Sequence, residues 1–170
     1  MIKIILQQFV DINITHMCGQ RTDKIIYQDI FYHLATLPLD SYLKTLNDPL
    51  EFQSPDTGLQ RGYEGTWEIR DNLLLLVNLE AYVYNYRKVD INILFPGEDT
   101  VFANWFTGKL RVPFGRQIYQ GGDYFQSIFD FELTIKIEKG YLVGTRMQNT
   151  MKKGRKKMLK EAELQKTYPF

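Results

Sequence analysis

Gly65-Thr66-Trp67-Glu68-Ile69-Arg70-Asp71-Asn72-Leu73-Leu74-Leu75-Leu76-Val77 is the stretch on which the fold turns. Trp67 and Ile69 alternate with Glu68 and Arg70, the two-residue period of a strand with one apolar face. Asp71-Asn72 then supplies two residues that tolerate positive φ, as a tight β-hairpin turn requires. The return strand, residues 73–79, starts apolar on both faces, which predicts a central strand covered on each side. Neighbours joined by such short turns must run antiparallel.

Downstream, Tyr82, Tyr84 and Tyr86 alternate along a further extended piece, and Val89, Ile91, Ile93 and Phe95 do so again before Pro96-Gly97. Phe102, Trp105 and Phe106 sit at i, i+3, i+4 between a cap at Asp99 or Thr100 and a stop at Gly108, predicting a short helix. Residues 110–112 and 117–119 flank Pro113-Phe114-Gly115 and predict a second hairpin, followed by an open loop at Gly121-Gly122-Asp123. Phe129, Phe131, Leu133, Ile135 and Ile137 mark one face of a long strand, which Glu138-Lys139-Gly140 turns into residues 141–143. Beyond Met147 the pattern predicts a helix with Met151, Met158, Leu159, Ala162 and Leu164 as apolar positions and Gly154 weakening its start.

Upstream, Leu39, Tyr42, Leu43 and Leu46 predict a short helix ending before Pro49, and residues 51–58 a loop. Tyr27, Ile30, Phe31 and Leu34 fit either a helix or an extended segment. Ile2, Ile4, Leu6, Ile12 and Ile14 alternate with polar residues, so the first 15 residues read as strand at a sheet edge. The expected fold is mainly β (α+β): an antiparallel curved sheet or partly open barrel, short packed helices and a basic C-terminal helix.

The chain has 170 residues, 44% hydrophobic and 24% charged, which fits one globular domain rather than a disordered or coiled-coil chain. Its net charge of +1 hides an asymmetry. Residues 151–170 carry seven basic and two acidic groups, a balance of +5, which leaves 14 basic and 18 acidic groups, −4, on residues 1–150. The organisation expected is a single mainly-β domain over residues 1–150 and a basic tail or helix over 151–170. The longest apolar run, residues 73–77, is far short of the roughly 20 residues of a membrane-spanning helix. Lys3 is the one basic residue of a short apolar start without a small-residue cleavage site, so no secretory signal is expected. A cytoplasmic protein with no membrane partner follows by default, and the lone Cys18 suits a reducing compartment.

No constellation carries a strong chemical signature. His16, Cys18 and His33 would need a fourth ligand to hold zinc and match no common spacing, and Cys18 with a histidine lacks the context of a nucleophile and base. Glu64, Glu68 and Asp71 cluster around the first hairpin, where paired carboxylates can do acid and base work, but an alternating strand puts Glu68 on the wet face. Gly121-Gly122 is too short for a phosphate cradle. No metal or cofactor is expected, and catalytic residues are not assigned. Tyr82, Tyr84 and Tyr86 on one side of a strand, with Arg87-Lys88 following, form a platform able to stack bases, to pack into the core of an aromatic-rich chain, or to bind protein. Lys152, Lys153, Arg155, Lys156 and Lys157 suit phosphate backbones, an acidic partner, or a solvated helix end.

Arg61-Gly62-Tyr63-Glu64-Gly65-Thr66-Trp67-Glu68-Ile69 and, after it, Val101-Phe102-Ala103-Asn104-Trp105-Phe106-Thr107-Gly108 with Leu110-Arg111-Val112-Pro113-Phe114-Gly115 resemble a family of small uncharacterised bacterial proteins. That family is built around a Gly-Tyr-x-Gly-Thr-Trp-Glu-Ile hairpin and a Trp-Phe-Thr-Gly-x-Leu-x-x-Pro-x-Gly segment. The likeness covers roughly residues 23–143 and implies a fold rather than an activity. It also implies a histidine in the loop after the second hairpin, where this chain has Tyr119-Gln120-Gly121-Gly122-Asp123-Tyr124.

The function expected from the sequence is a small cytoplasmic bacterial protein that binds a protein partner, with a toxin-neutralising or phage-conflict role in keeping with its size. The surface expected to do so is Tyr82, Tyr84, Tyr86, Trp105, Gly121, Gly122, Asp123 and Tyr124. The alternative is nucleic-acid binding through the basic tail and the tyrosine strand, and an enzyme using Glu64, Glu68 or Asp123 is a third class.

Overall fold

The computed structural model describes residues 19–48 and 50–167, with side chains through residue 164. The edge strand expected at the N-terminus, His16 and Cys18 lie outside these residues. Among the described residues nine strands form one sheet: β1 (Asp23–Tyr27), β2 (Ile30–Leu34), β3 (Tyr63–Arg70), β4 (Leu73–Val83), β5 (Arg87–Val89), β6 (Val101–Phe102), β7 (Gly108–Tyr119), β8 (Ile128–Glu138) and β9 (Tyr141–Asn149). The same residues hold two α-helices, α1 (Leu39–Leu43) and α2 (Met151–Thr167). The order is β2-β1-β3-β4-β9-β8-β7, with β5 and β6 also pairing with β4.

Tight turns set most of this register. Gln28-Asp29, Asp71-Asn72 and Lys139-Gly140 all adopt positive φ and close the β1–β2, β3–β4 and β8–β9 hairpins. The ambiguous segment around Tyr27 to Leu34 is thus extended. One pair departs from the antiparallel expectation: β1 lies parallel to β3, with Lys24 opposite Thr66 and Glu68 opposite Ile26. The long connection through α1 and the 51–58 loop makes this possible, because parallel neighbours need a crossover rather than a hairpin.

The sheet is curved and open. Its edges β2 and β7 approach without a ladder, joined where Ala35 N–H donates to Arg111 C=O at 2.8 Å and Arg111 N–H to Thr36 Oγ1 at 2.9 Å. The concave side holds Ile25, Leu34, Leu39, Trp67, Leu74, Leu76, Leu110, Ile135 and Ile137, all fully buried. Leu75 is buried on the other side of β4, in agreement with a strand covered on both faces.

Three local expectations are corrected. Phe102, Trp105 and Phe106 do not form a helix. The unpaired edge of β4 takes up this backbone instead, with Phe102 opposite Leu75, Val101 opposite Leu76, and Ala103 N–H donating to Leu74 C=O. Residues 110–119 are not a hairpin but one strand with a bulge, where the register passes from Phe114–Phe131 to Gln117–Phe129 around Gly115 at φ 87°. Pro113 is tolerated because β7 is an edge strand. Like those of Arg111, its main-chain groups point off that edge, and its C=O accepts from Tyr124 Oη at 2.8 Å. Residues 91–93, expected in an alternating strand, wind into a 3-10 turn capped by the Asp90 carboxylate accepting from Asn92 N–H at 2.9 Å.

The expected C-terminal helix forms, but it docks differently. Met158, Leu159 and Leu164 are exposed, whereas Gly154 is buried. A Cβ at Gly154 would lie 2.8 Å from Ile118 Cγ2, so the glycine lets the helix backbone seat on β7 and β8. Lys157 Nζ sits 4.5 Å above the Tyr119 ring, and Tyr119 Oη donates to Glu161.

Candidate functional site

Most of the expected partner surface is spent on packing. Trp105 is half-buried, stacked on Phe95 at 5.6 Å, packed on Tyr42 at 4.8 Å, and donates from Nε1 to Pro38 C=O at 3.3 Å. Gly121 has no room for a Cβ against Gln126, and its N–H donates to Ser127 Oγ at 3.0 Å. Asp123 closes the same loop by accepting from Gln126 N–H at 3.0 Å, while Gly122 is exposed beside it. Tyr124 is buried against Phe129 and His33, and burial pushes its phenol well above the usual tyrosine range. The loop is a folded plug at the β7 edge.

The tyrosine platform is also corrected. Tyr82 lies in β4, with its hydroxyl donating to Glu80 at 2.9 Å, but the strand ends at Val83. Tyr84, Asn85 and Tyr86 form the tip of the β4–β5 hairpin, closed by pairing of Val83 with Arg87 and Tyr82 with Lys88. Alternation fails because Asn85 at φ 61° and Tyr86 at φ 55° enter the left-handed region. Tyr84 and Tyr86 are 85% and 64% exposed. Their anchors are on the 51–58 loop: Gln53 Oε1 accepts from Tyr86 N–H at 3.3 Å, and Gln53 N–H donates to Tyr82 C=O at 2.7 Å.

Each carboxylate singled out near the first hairpin has its own partner or place. Glu68 pairs with Arg70 at 2.6 Å and Glu64 with Lys24 at 2.7 Å. Asp71 occupies the turn. His33 meets Thr22 Oγ1 through Nδ1 at 2.8 Å, and partial burial followed by the Lys24 charge holds its pKa below the usual histidine value. Among the described residues, no group of three or more His, Cys, Asp or Glu is placed to hold a metal ion.

Sequence reasoning passed over Asp23, which is fully buried. Its Oδ1 accepts from Arg61 at 2.9 Å and Gly65 N–H at 3.1 Å, and its Oδ2 from Trp67 Nε1 at 2.8 Å. Desolvation pushes the carboxyl up to about 6, against the opposing pull of the Arg61 guanidinium. This network explains the Arg61, Gly65 and Trp67 pattern: a Cβ at Gly65 would sit 2.9 Å from Trp67 Nε1 and 3.0 Å from Asp23 Oδ2. The available signal was an arginine preceding a Gly-Thr-Trp strand that has a buried indole N–H to satisfy.

Lys152, Lys153, Arg155, Lys156 and Lys157 all lie on exposed turns of α2. They do not meet the tyrosines. β4 and β9 share only the Leu73–Tyr141 pair, from which β4 runs one way toward Val83 and β9 the other way toward Asn149 and α2. A single surface made of tail and tyrosines is therefore not formed.

No helix among the described residues is long and apolar enough to cross a membrane. No family model matches the chain, and searches of curated proteins and of solved structures find no match.

Proposed function

We propose that the protein is a binding module rather than an enzyme, and that the 84–86 hairpin tip engages a protein partner. Tyr86 carries this reading. Its backbone is held at positive φ while its ring projects into solvent beside the even more exposed Tyr84. A bulky residue in the left-handed region costs on the order of 1–3 kcal/mol, and an exposed ring returns little of that to folding. Such strain marks sites where surroundings fix a side chain for another purpose. Tyrosine also suits a contact surface, since it brings large amphipathic area with few rotatable bonds, and Arg87 adds a cation at its base.

The test is a Tyr84→Ser/Tyr86→Asn variant, with asparagine chosen because it tolerates positive φ. A partner captured by crosslinking is purified and titrated calorimetrically against both proteins. We expect affinity for the variant to fall at least about tenfold, with an unchanged or raised unfolding midpoint. Equal affinity for the two proteins, or no saturable protein partner for the wild type, contradicts the reading.

A further inference from the structure

The outward face of β7, β8 and β9 is a cationic surface that sequence reading did not assemble. Cross-strand register places Lys109 beside Lys136 and Gly144, Arg111 beside Thr134 and Arg146, and Pro113 beside Glu132 and Gln148. These rows line a shallow depression of about 410 Å³ whose walls hold four cations and one carboxylate. Gly144 leaves the β9 corner of this face low, with nothing within 4 Å of where a Cβ would stand. Glu132 is already engaged by Arg111 at 2.7 Å, and Glu138 holds Lys136 at 2.6 Å. Among the described residues, no ion pair joins Lys109 or Arg146 to a carboxylate.

The basic helix lies on the same side. Ile128 shares its strand face with Glu132, Thr134 and Lys136, and it is against Ile128 and Ile118 that Gly154 seats α2. The charges of α2 thus continue those of the sheet: Lys152, Lys153, Arg155 and Lys156 follow β9 directly and likewise have no carboxylate partner among the described residues.

We infer that this face binds the phosphate backbone of nucleic acid, independently of the tyrosine tip. Charge complementarity selects a polyanion. The walls contain no aromatic ring on which a base would stack, so recognition is of phosphates rather than of sequence. An anionic membrane fits less well: Met158, Leu159 and Leu164 fall on different sides of α2, about 100° apart or more, and give it no single apolar face to insert.

Fluorescence anisotropy of labelled mixed-sequence 20-nucleotide DNA and RNA, single-stranded and duplex, tests the inference at a series of KCl concentrations. The full-length chain should bind at least one of them, with affinity falling steeply as salt rises. Lys109→Gln/Arg146→Gln should weaken binding about tenfold at low salt and reduce the log–log salt slope by about 2, one for each phosphate no longer neutralised. Lys44→Gln, beside α1, should change neither. The inference is overturned if the wild type binds none of the probes at 50 mM KCl, if the double variant matches the wild type, or if Lys44→Gln weakens binding as much. Binding to phosphatidylserine vesicles without binding to the oligonucleotides likewise overturns it.

Discussion

The two halves of the sheet treat charge in opposite ways. In β1–β3, Asp23 and Arg61 form an ion pair with the carboxylate fully buried and the guanidinium side chain 13% exposed. That pair is stitched to the Trp67 indole and the Gly65 main chain, so removing either partner leaves a buried group unsatisfied. In β7–β9 the cations Lys109 and Arg146 lie at the surface over a core of Leu110, Val112, Leu133 and Ile135 that needs nothing from them. Charge that holds a fold together is costly to remove, and charge the fold does not use is available to a ligand.

The largest expected effect breaks the first half. Asp23→Ala should cost about 3–5 kcal/mol in urea denaturation, since it strands Arg61 and Trp67 Nε1 in the interior. A loss below about 1 kcal/mol would mean that the network is incidental to stability.

A smaller pH effect belongs to the same residue. The folded-state pKa of Asp23, about 6, is above the ordinary aspartate value of 3.8. Its proton-linked stability is therefore fully present below about 4 and lost as pH rises through about 6. The urea midpoint of the wild type should fall across that window relative to Asp23→Asn, whose side chain does not titrate. Parallel profiles of the two proteins would assign the pH dependence to other groups.

In the second half the decisive substitution is Gly154→Ala, because two effects of opposite sign compete there. Helix propensity favours alanine by about 1 kcal/mol, while a Cβ 2.8 Å from Ile118 forces α2 away from the sheet. We expect the clash to prevail, with faster hydrogen exchange and proteolysis confined to residues 151–167. Slower exchange in α2 would show that the helix seat is looser than its geometry.

Legibility in the sequence followed the range of the interactions. The Asp71-Asn72 and Lys139-Gly140 turns, the doubly covered β4 and the long alternation of β8 were readable because each is dictated by neighbours in the chain. Phe102 to Phe106 failed because their helical spacing competed with an open edge of β4, a partner distant in sequence. Residues 110–119 failed because Pro113 and Gly115 signal a turn and a bulge alike, and only pairing with β8 decides between them. Tyr84 and Tyr86 are exposed, but they are not on a strand platform, because Asn85 turns left-handed and only the folded hairpin reveals that. The tail charges were evident, whereas Lys109, Arg111, Lys136 and Arg146 are scattered over three strands and become neighbours only through register.

The contrast between structural and available charge is tested most directly by following urea unfolding and oligonucleotide anisotropy on the same samples of Asp23→Asn and Lys109→Gln/Arg146→Gln. A crossed result is expected. The first variant loses stability but binds like the wild type while folded, and the second keeps its stability within about 0.5 kcal/mol but loses affinity. If both variants lose stability and affinity together, the cations of β7–β9 belong to the fold and are not held in reserve for a ligand.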